Sequence, residues 1–258
     1  MLRKHAIVTG AASGIGAAAA RALSREGFRI TAIDLADPGE AADRWHALDL
    51  DDASSPLPRI DHPVDVLVNA AGLPPRAGLE ARILRVNTLA LRRLTHHILP
   101  QMRPGGAIVN MASKAGARWQ ENIAQVRRLL AQPDDAALDD FVAEEGIDPV
   151  RAYDLSKEAV IAWTKRMTGP LIERELRMNC VSPAATQTPI LADFERAFGE
   201  RAARGISLTR RAATPEEIAQ VIAFLAGPAS GWVRGTNIEA DGGLTAILDT
   251  ERLIDPEV

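Results

Sequence analysis

Cysteine is almost missing from this chain. Cys180 is the only one, which excludes an internal disulfide and any thiolate metal cluster. It follows a strand-like run and reads as a small buried residue rather than a reactive thiol. Tyrosine is as scarce, with Tyr153 alone. The adjacent histidines His96 and His97 lack metal-ligand spacing and read as surface or partner-facing, so no metal site is expected. No apolar run is long enough to cross a bilayer. The first strand-like run starts within a few residues of Met1, leaving no room for a cleavable signal, and the expected compartment is the cytoplasm. Neither sign of charge is concentrated: 30 basic and 34 acidic residues are interspersed, for a net charge of -4. That argues against nucleic acid and an anionic membrane as partners.

What is present suits one large core: 47% of the 258 residues are apolar, enough for a single domain over residues 1–258. Strand-like runs alternate with helical patterns along the whole length, the mark of an α/β doubly wound parallel sheet. The organising stretch is Thr9-Gly10-Ala11-Ala12-Ser13-Gly14-Ile15-Gly16, between the apolar run His5–Val8 and the alanine-rich helix former Ala17–Leu23. A glycine turn from buried strand to helix offers backbone N–H groups and a positive helix end to a pyrophosphate. The spacing is not the common G-x-G-x-x-G, and a plain tight turn remains the alternative.

Arg29-Ile30-Thr31-Ala32-Ile33 reads as the second strand, closing on Asp34. An acidic residue there accepts hydrogen bonds from the adenosine ribose and repels a 2′-phosphate. No Arg or Lys stands at Ser13 or directly after Asp34, so NAD is favoured over NADP; the alternative is a capping or turn Asp. Trp45–Leu48 is a short third strand ending at Asp49-Leu50. The proline-rich Asp51–Pro58 linker predicts a truncated crossover. Val64–Val68 is the fourth strand, running into Asn69-Ala70-Ala71-Gly72, where small residues leave room for a cofactor. Apolar residues recur at helical spacing from about Leu79 to Met102, with Asn87 inside that helix. Ala107–Met111 is the fifth strand, with Ser113 just past it, and Asn237–Ala240 is the last. Tyr153 and Lys157 are four apart on one helical face, a spacing that by itself is as consistent with surface decoration.

Taken together, Thr9–Gly16, Asn69–Gly72, Asn87, Ser113 and Tyr153-x-x-x-Lys157 resemble the short-chain dehydrogenase/reductase family. So do Asn179, Ser182-Pro183, Thr188-Pro189 and Asp241-Gly242-Gly243. The motifs arrive in the family's order and cover nearly the whole chain. The resemblance implies a Rossmann-type, seven-stranded parallel sheet that binds NAD(P)(H) at its carboxyl edge. It implies that Asn87, Ser113, Tyr153 and Lys157 are catalytic. Tyr153 would be the general acid/base, Ser113 would hold the substrate oxygen, Lys157 would also bind the nicotinamide ribose, and Asn87 would order a water. A free phenol, with a pKa of about 10, is too weak a base near neutrality, and an ammonium at Lys157 and an oxidised nicotinamide would lower that value. Cofactor contacts are expected from Gly10, Ser13, Gly14, Ile15, Gly16, Asp34, Asp49 and Leu50. Further contacts are expected from Asn69, Ala70, Ala71, Gly72, Tyr153, Lys157, Pro183, Ala184, Thr186 and Thr188, with Thr188 at the carboxamide and Asp49 near the adenine.

Three departures matter. Ala184 replaces a usual glycine after Ser182-Pro183, Ala70 replaces the second Asn of Asn-Asn-Ala-Gly, and the stretch from Ser113 to Tyr153 is much longer than the family norm. Within that stretch Ile123, Val126, Leu129 and Leu130 share one helical face, as do Leu138, Phe141 and Val142, which predicts an inserted helical hairpin over about 118–148. The insertion and Ala185–Leu191 resemble the 3α-hydroxysteroid dehydrogenase/carbonyl reductase branch, which includes coniferyl-alcohol dehydrogenases. The hairpin would cover one usual dimer contact, implying a homodimer on another face. Residues of about 189–211 form the expected substrate lid. There Leu191, Phe194, Phe198, Ile206 and Leu208 either contact a bulky apolar alcohol or ketone or simply pack a helix. Thr214-Pro215-Glu216-Glu217 is a capping box. The tail from Leu244 to Val258 could reach a partner subunit. The expected activity is NAD-dependent oxidation or reduction of an aryl alcohol or 3α-hydroxysteroid. The alternatives are a reductase of smaller ketones, a non-catalytic NAD(H) sensor, and a sugar-nucleotide epimerase.

Overall fold

The computed structural model describes residues 3–253; residues 1–2 and 254–258, including the end of the tail, lie outside the described residues. The chain opens with β1 (His5–Thr9), α1 (Gly14–Arg25) and β2 (Arg29–Asp34). Then come β3 (Arg44–Ala47), β4 (Val64–Asn69), α2 (Glu80–Leu84), α3 (Leu91–Ile98) and β5 (Met102–Met111). Next are α4 (Ile123–Leu130), α5 (Asp139–Glu144), α6 (Pro149–Ile172) and β6 (Arg177–Pro183). The last are α7 (Leu191–Phe198), α8 (Glu200–Thr209), α9 (Pro215–Ala226), β7 (Asn237–Ala240) and α10 (Leu244–Leu253).

The seven strands form one parallel sheet in the order β3-β2-β1-β4-β5-β6-β7. The order reverses between β1 and β4, so the connections after those strands diverge and open a crevice at their carboxyl ends. Register levels that rim: Thr9 pairs with Ile33 and Asn69, and Asn69 pairs with Asn110. Side chains alternate across the strands. Ala6 and Val8 join Leu23, Ile30 and Ile222 in a core beneath α1 and α9. Ile7 joins Ile33, Leu67, Leu94, Ile98 and Trp163 on the other face, beneath α3 and α6. Each large apolar side chain fully buried there contributes about 1.5–3 kcal/mol. Alanines make up most of the inner face of α1 and let it approach closely.

The ends of α9 are fixed from both sides. Thr214 Oγ1 accepts the Glu217 N–H (3.3 Å) and Glu217 Oε2 accepts the Thr214 N–H (2.8 Å), with Pro215 in the first turn. At the other end the buried Arg177 guanidinium of β6 donates to the carbonyls of Leu225, Ala226 and Gly227. No helix spans 48–63, where Arg93 donates to the carbonyls of Asp52 and Ala53, and His97 Nε2 lies 3.0 Å from the Pro58 carbonyl.

Several expectations are corrected. The helix foreseen over 79–102 is four pieces, with a π-helical stretch at Arg85–Ala90 between α2 and α3 and a 3-10 turn at Leu99–Gln101, and Met102 already belongs to β5. The fifth strand therefore starts earlier than Ala107 and runs through Pro104. Cys180 lies within β6 rather than after a strand, where burial pushes its thiol up to about 12 and leaves it inert. No helix among the described residues is long and apolar enough to cross a membrane.

Candidate active site

Two glycines of the first turn are demanded by the backbone. Gly10 has φ +67°, and a Cβ there would lie 2.8 Å from the Ala71 backbone; one on Gly16 would meet the Gly10 carbonyl at 2.1 Å. β1, β4 and the start of α1 thus close up on each other only because these side chains are missing. Thr9 Oγ1 reinforces the junction by accepting the N–H groups of Ala70 and Ala71 at 3.0 and 2.9 Å. Asp34, at the end of β2, accepts from Ala12 N (2.9 Å) and Ala36 N (3.0 Å). The carboxylate therefore holds the glycine turn and also faces the crevice.

That crevice is a cavity of about 890 Å³ lined by Gly10, Ser13, Gly14, Ile15, Gly16, Asp34, Asp49, Leu50, Ala70, Ala71 and Gly72. Ser113, Tyr153, Lys157, Pro183, Ala184, Thr186 and Thr188 line the same space. The lining suits a dinucleotide: orphan N–H groups at the start of α1 for phosphates, an acceptor at Asp34 for ribose hydroxyls, and small residues at the β4 end. Ala184 adopts no left-handed backbone, so replacing the usual glycine strains nothing, and its carbonyl accepts from Thr186 Oγ1 (3.1 Å).

Asn69 and Asn87 do not line the cavity. Asn69 Nδ2 donates to Thr95 Oγ1 (3.0 Å) and Asn110 Oδ1 (2.8 Å), a buried brace between β4, α3 and β5. Asn87 sits in the π-helical stretch with no exposure. Its Oδ1 accepts the Leu73 N–H (2.7 Å), and its Nδ2 donates to the Leu73 carbonyl (3.1 Å) and Ser156 Oγ (3.2 Å). The whole amide is committed to holding the chain after Gly72 against α6.

At the centre Tyr153 and Lys157 project from one face of α6, with Nζ 5.6 Å from the phenol ring centroid. Lys157 Nζ donates to the Met111 carbonyl at 2.9 Å. Ser113, whose Oγ accepts the Ala115 N–H (3.2 Å), also hydrogen-bonds the Tyr153 side chain. One expectation changes here. In the protein alone the Tyr153 pKa is raised, by burial above all, with the Ser113 hydrogen bond and the Arg201 charge opposing and Asp154 adding to the rise. Burial also lowers Lys157 to about 8.

The far wall is apolar. Phe194 and Phe198 meet the Tyr153 ring edge-on at 4.9 and 6.1 Å, and Leu191, Ile206, Leu208, Leu244 and Leu248 line the rest. No residue of α7 or α8 is fully buried. Asp154, Arg201 and Arg82 also line the cavity and were missed in the sequence, where charged residues on amphipathic helices read as solvated faces. Among the described residues no cluster of His, Cys, Asp or Glu is placed to hold a metal ion.

A doubly wound sheet with a glycine turn at its switch point and a tyrosine–lysine pair in the same cavity defines an oxidoreductase that uses a nicotinamide dinucleotide. Residues 4–125 match the family described as short chain dehydrogenase, and 137–245 that described as enoyl-(acyl carrier protein) reductase. The chain belongs to the short-chain dehydrogenase/reductase family. It is 34% identical over 254 residues to the coniferyl-alcohol dehydrogenase of a Pseudomonas species, covering 95% of this chain and 98% of the relative. It is 29% identical over 250 residues to the 3-alpha-hydroxysteroid dehydrogenase/carbonyl reductase of Comamonas testosteroni, covering 94% and 96%. The crystal structure of 3-alpha-hydroxysteroid dehydrogenase from Pseudomonas sp. B-0831, complexed with NADH, superposes with a TM-score of 0.82 at 29% identity, covering 96% and 99%.

Proposed function

We propose that this dehydrogenase uses NAD to interconvert a bulky apolar alcohol and its carbonyl, of the coniferyl-type aryl alcohol or 3α-hydroxysteroid class. The observation that carries the reading is the enclosure of the Tyr153 ring by Phe194 and Phe198, in the cavity that also holds Asp34 and the glycine turn. The names of the two relatives point the same way. NAD rather than NADP is supported by the Asp34 carboxylate, which would repel a 2′-phosphate. Gly10 to Gly16 would take the pyrophosphate, Asp34 the adenosine ribose, and Thr188 the carboxamide.

When bound, the oxidised nicotinamide accepts the hydride and brings a positive charge to this end of the crevice. The chain's residues handle the proton. Ser113 holds the substrate oxygen beside the Tyr153 oxygen, which as phenolate takes the alcohol proton in oxidation and as hydroxyl returns it in reduction. Burial disfavours the charged phenolate, so the ammonium of Lys157 is needed at the site to support it. The aromatic wall keeps water from the phenol and seats the apolar body of the substrate. The reading is tested by NADH absorbance with a panel of aryl alcohols, hydroxysteroids and short alcohols, each with NAD and NADP. Turnover of the ring alcohols with NAD is expected; exclusive turnover of short alcohols, or of NADP, would overturn it.

A further inference from the structure

No residue of the two lid helices is fully buried, and the two phenylalanines of α7 pack on Tyr153 and the core beside it. A charged contact adds to that hold. Arg201 on α8 donates Nη1 to Asp154 Oδ2 at 2.9 Å, crossing to α6, and its guanidinium lies 4.6 Å from the Phe198 ring centroid. Phe198 in turn stacks on Phe194, centroids 6.0 Å apart, and both rings meet Tyr153. Asp154 directly follows Tyr153, so one end of this chain of contacts is fixed to the backbone that carries the phenol. Among the described residues Asp154 Oδ1 is buried without a hydrogen-bond partner, so the Arg201 bond is the one that answers its carboxylate. A guanidinium is suited to this position because its planar fork binds a carboxylate at its edge while its face stacks on an aromatic ring.

We propose that Arg201 is a positioning residue of the substrate subsite, clamping the Phe194–Phe198 pair against Tyr153 and so selecting substrates with a flat or fused ring over short aliphatic ones. The inference rests on the dehydrogenase reading above for its substrate, but not for its geometry. A second clip, Arg76 Nη2 on Asp193 Oδ2 at 2.6 Å, holds α7 from the loop after β4. Arg201 is distinct because it alone of the two bridges the lid to the catalytic helix. The pair also bears on the phenol. Four groups face it: Ser113 from the turn after β5, Asp154 and Lys157 from α6, and Arg201 from α8. The positive charge of Arg201 favours the phenolate and the negative charge of Asp154 disfavours it.

The test compares Arg201→Met, Arg201→Lys and Asp154→Asn with the wild type. Backbone amide exchange over 191–209, measured with NADH present, reads the clamp without needing turnover. It should speed up about threefold or more in Arg201→Met and Asp154→Asn, and much less in Arg201→Lys. The kcat/KM ratio between a ring alcohol and 2-propanol should fall about tenfold in Arg201→Met and recover in part in Arg201→Lys. The acid limb of alcohol oxidation should move up by roughly half a pH unit in Arg201→Met and down in Asp154→Asn. A simple loosening of the lid would not give opposite shifts. Unchanged exchange, an unchanged selectivity ratio, or limbs that move together would each overturn the proposal. A wild type that turns over no alcohol would instead sink the dehydrogenase reading, while exchange still decides the clamp.

Discussion

Tyr153 carries a conflict that the protein does not resolve by itself. Burial raises the phenol's pKa and lowers that of Lys157 to about 8, so the pair is held where neither charge is favoured. Tyr153→Phe removes only the oxygen, and turnover should drop below detection while the NADH dissociation constant, read by fluorescence, stays within about twofold. Lys157 costs stability. Its folded pKa lies below the ordinary lysine value, so the unfolded chain binds more protons between about pH 8 and 10 and stability rises with pH across that window. At pH 7 the whole penalty is present. Replacing Lys157 with Met relieves it but leaves the Met111 carbonyl without its donor. A net gain of about 1–2 kcal/mol is expected, raising Tm by a few degrees while activity is lost. A lower Tm in thermal denaturation would show that the hydrogen bond outweighs the burial cost. Asp34 was singled out by its place at the end of a strand, and Tyr153 and Lys157 by the family resemblance rather than by their spacing; the structure puts all three at one cavity. Asn69 and Asn87 were harder, since a buried amide that braces and an amide that meets a ligand look alike in sequence.

At the scale of elements, strands announced themselves where both faces are largely buried, as in β1 and β4, because their runs are mostly apolar, Asp65 being the one charge inside β4. Periodicity failed at 85–90. A π-helical stretch keeps apolar residues inward, and only an asparagine without helix propensity hints at the break. The start of β5 was missed because Pro104, Gly105 and Gly106 interrupt the apolar run before Ala107, although Gly105 donates its N–H to the Glu175 carbonyl (2.8 Å). The turn that carries Ser113 depends on a glycine of another kind. A Cβ on Gly116 would lie 2.8 Å from the carbonyl carbon and oxygen of Lys157 and from Ile161 Cδ1. Gly116 also donates to the Ser113 carbonyl at 2.9 Å. Gly116→Ala must therefore lift the 114–118 turn off α6 and carry Ser113 away from the phenol. A displacement near 1 Å is worth about 100-fold in kcat/KM, against only about 1–3 kcal/mol of stability. Steady-state rates together with Tm check this, and an alanine variant with wild-type kcat/KM would refute the close approach.

For the whole molecule, the insertion decides which surfaces remain free. α4 packs Val126 and Leu129, both fully buried, toward α6. Asn122 donates to Glu158 Oε1 (2.6 Å), and Arg92 on α3 reaches the Leu130 carbonyl (3.1 Å) and Asp134 (2.8 Å). His96, expected to be surface or partner-facing, is half-exposed with Nδ1 3.4 Å from the same Asp134. The insertion thus covers part of the outer face of α3 and of the first half of α6, which is expected to disfavour contact with a second copy there. The opposite end is open. Among the described residues β7 is the outermost strand, with no strand paired to its outer edge, and Trp232 just before it is 93% exposed. Phe224 on α9 adds a second exposed ring. A strand edge beside bare aromatic rings is a place where a second copy of the chain gains both backbone hydrogen bonds and apolar burial. A homodimer through β7 and α9 is therefore expected, giving a dimer mass in light scattering. Trp232→Asp should shift it toward monomer by about 2 kcal/mol or more, without touching the cavity. A stable tetramer would require the insertion to leave α6 accessible, and a dimer indifferent to Trp232 would move the contact elsewhere.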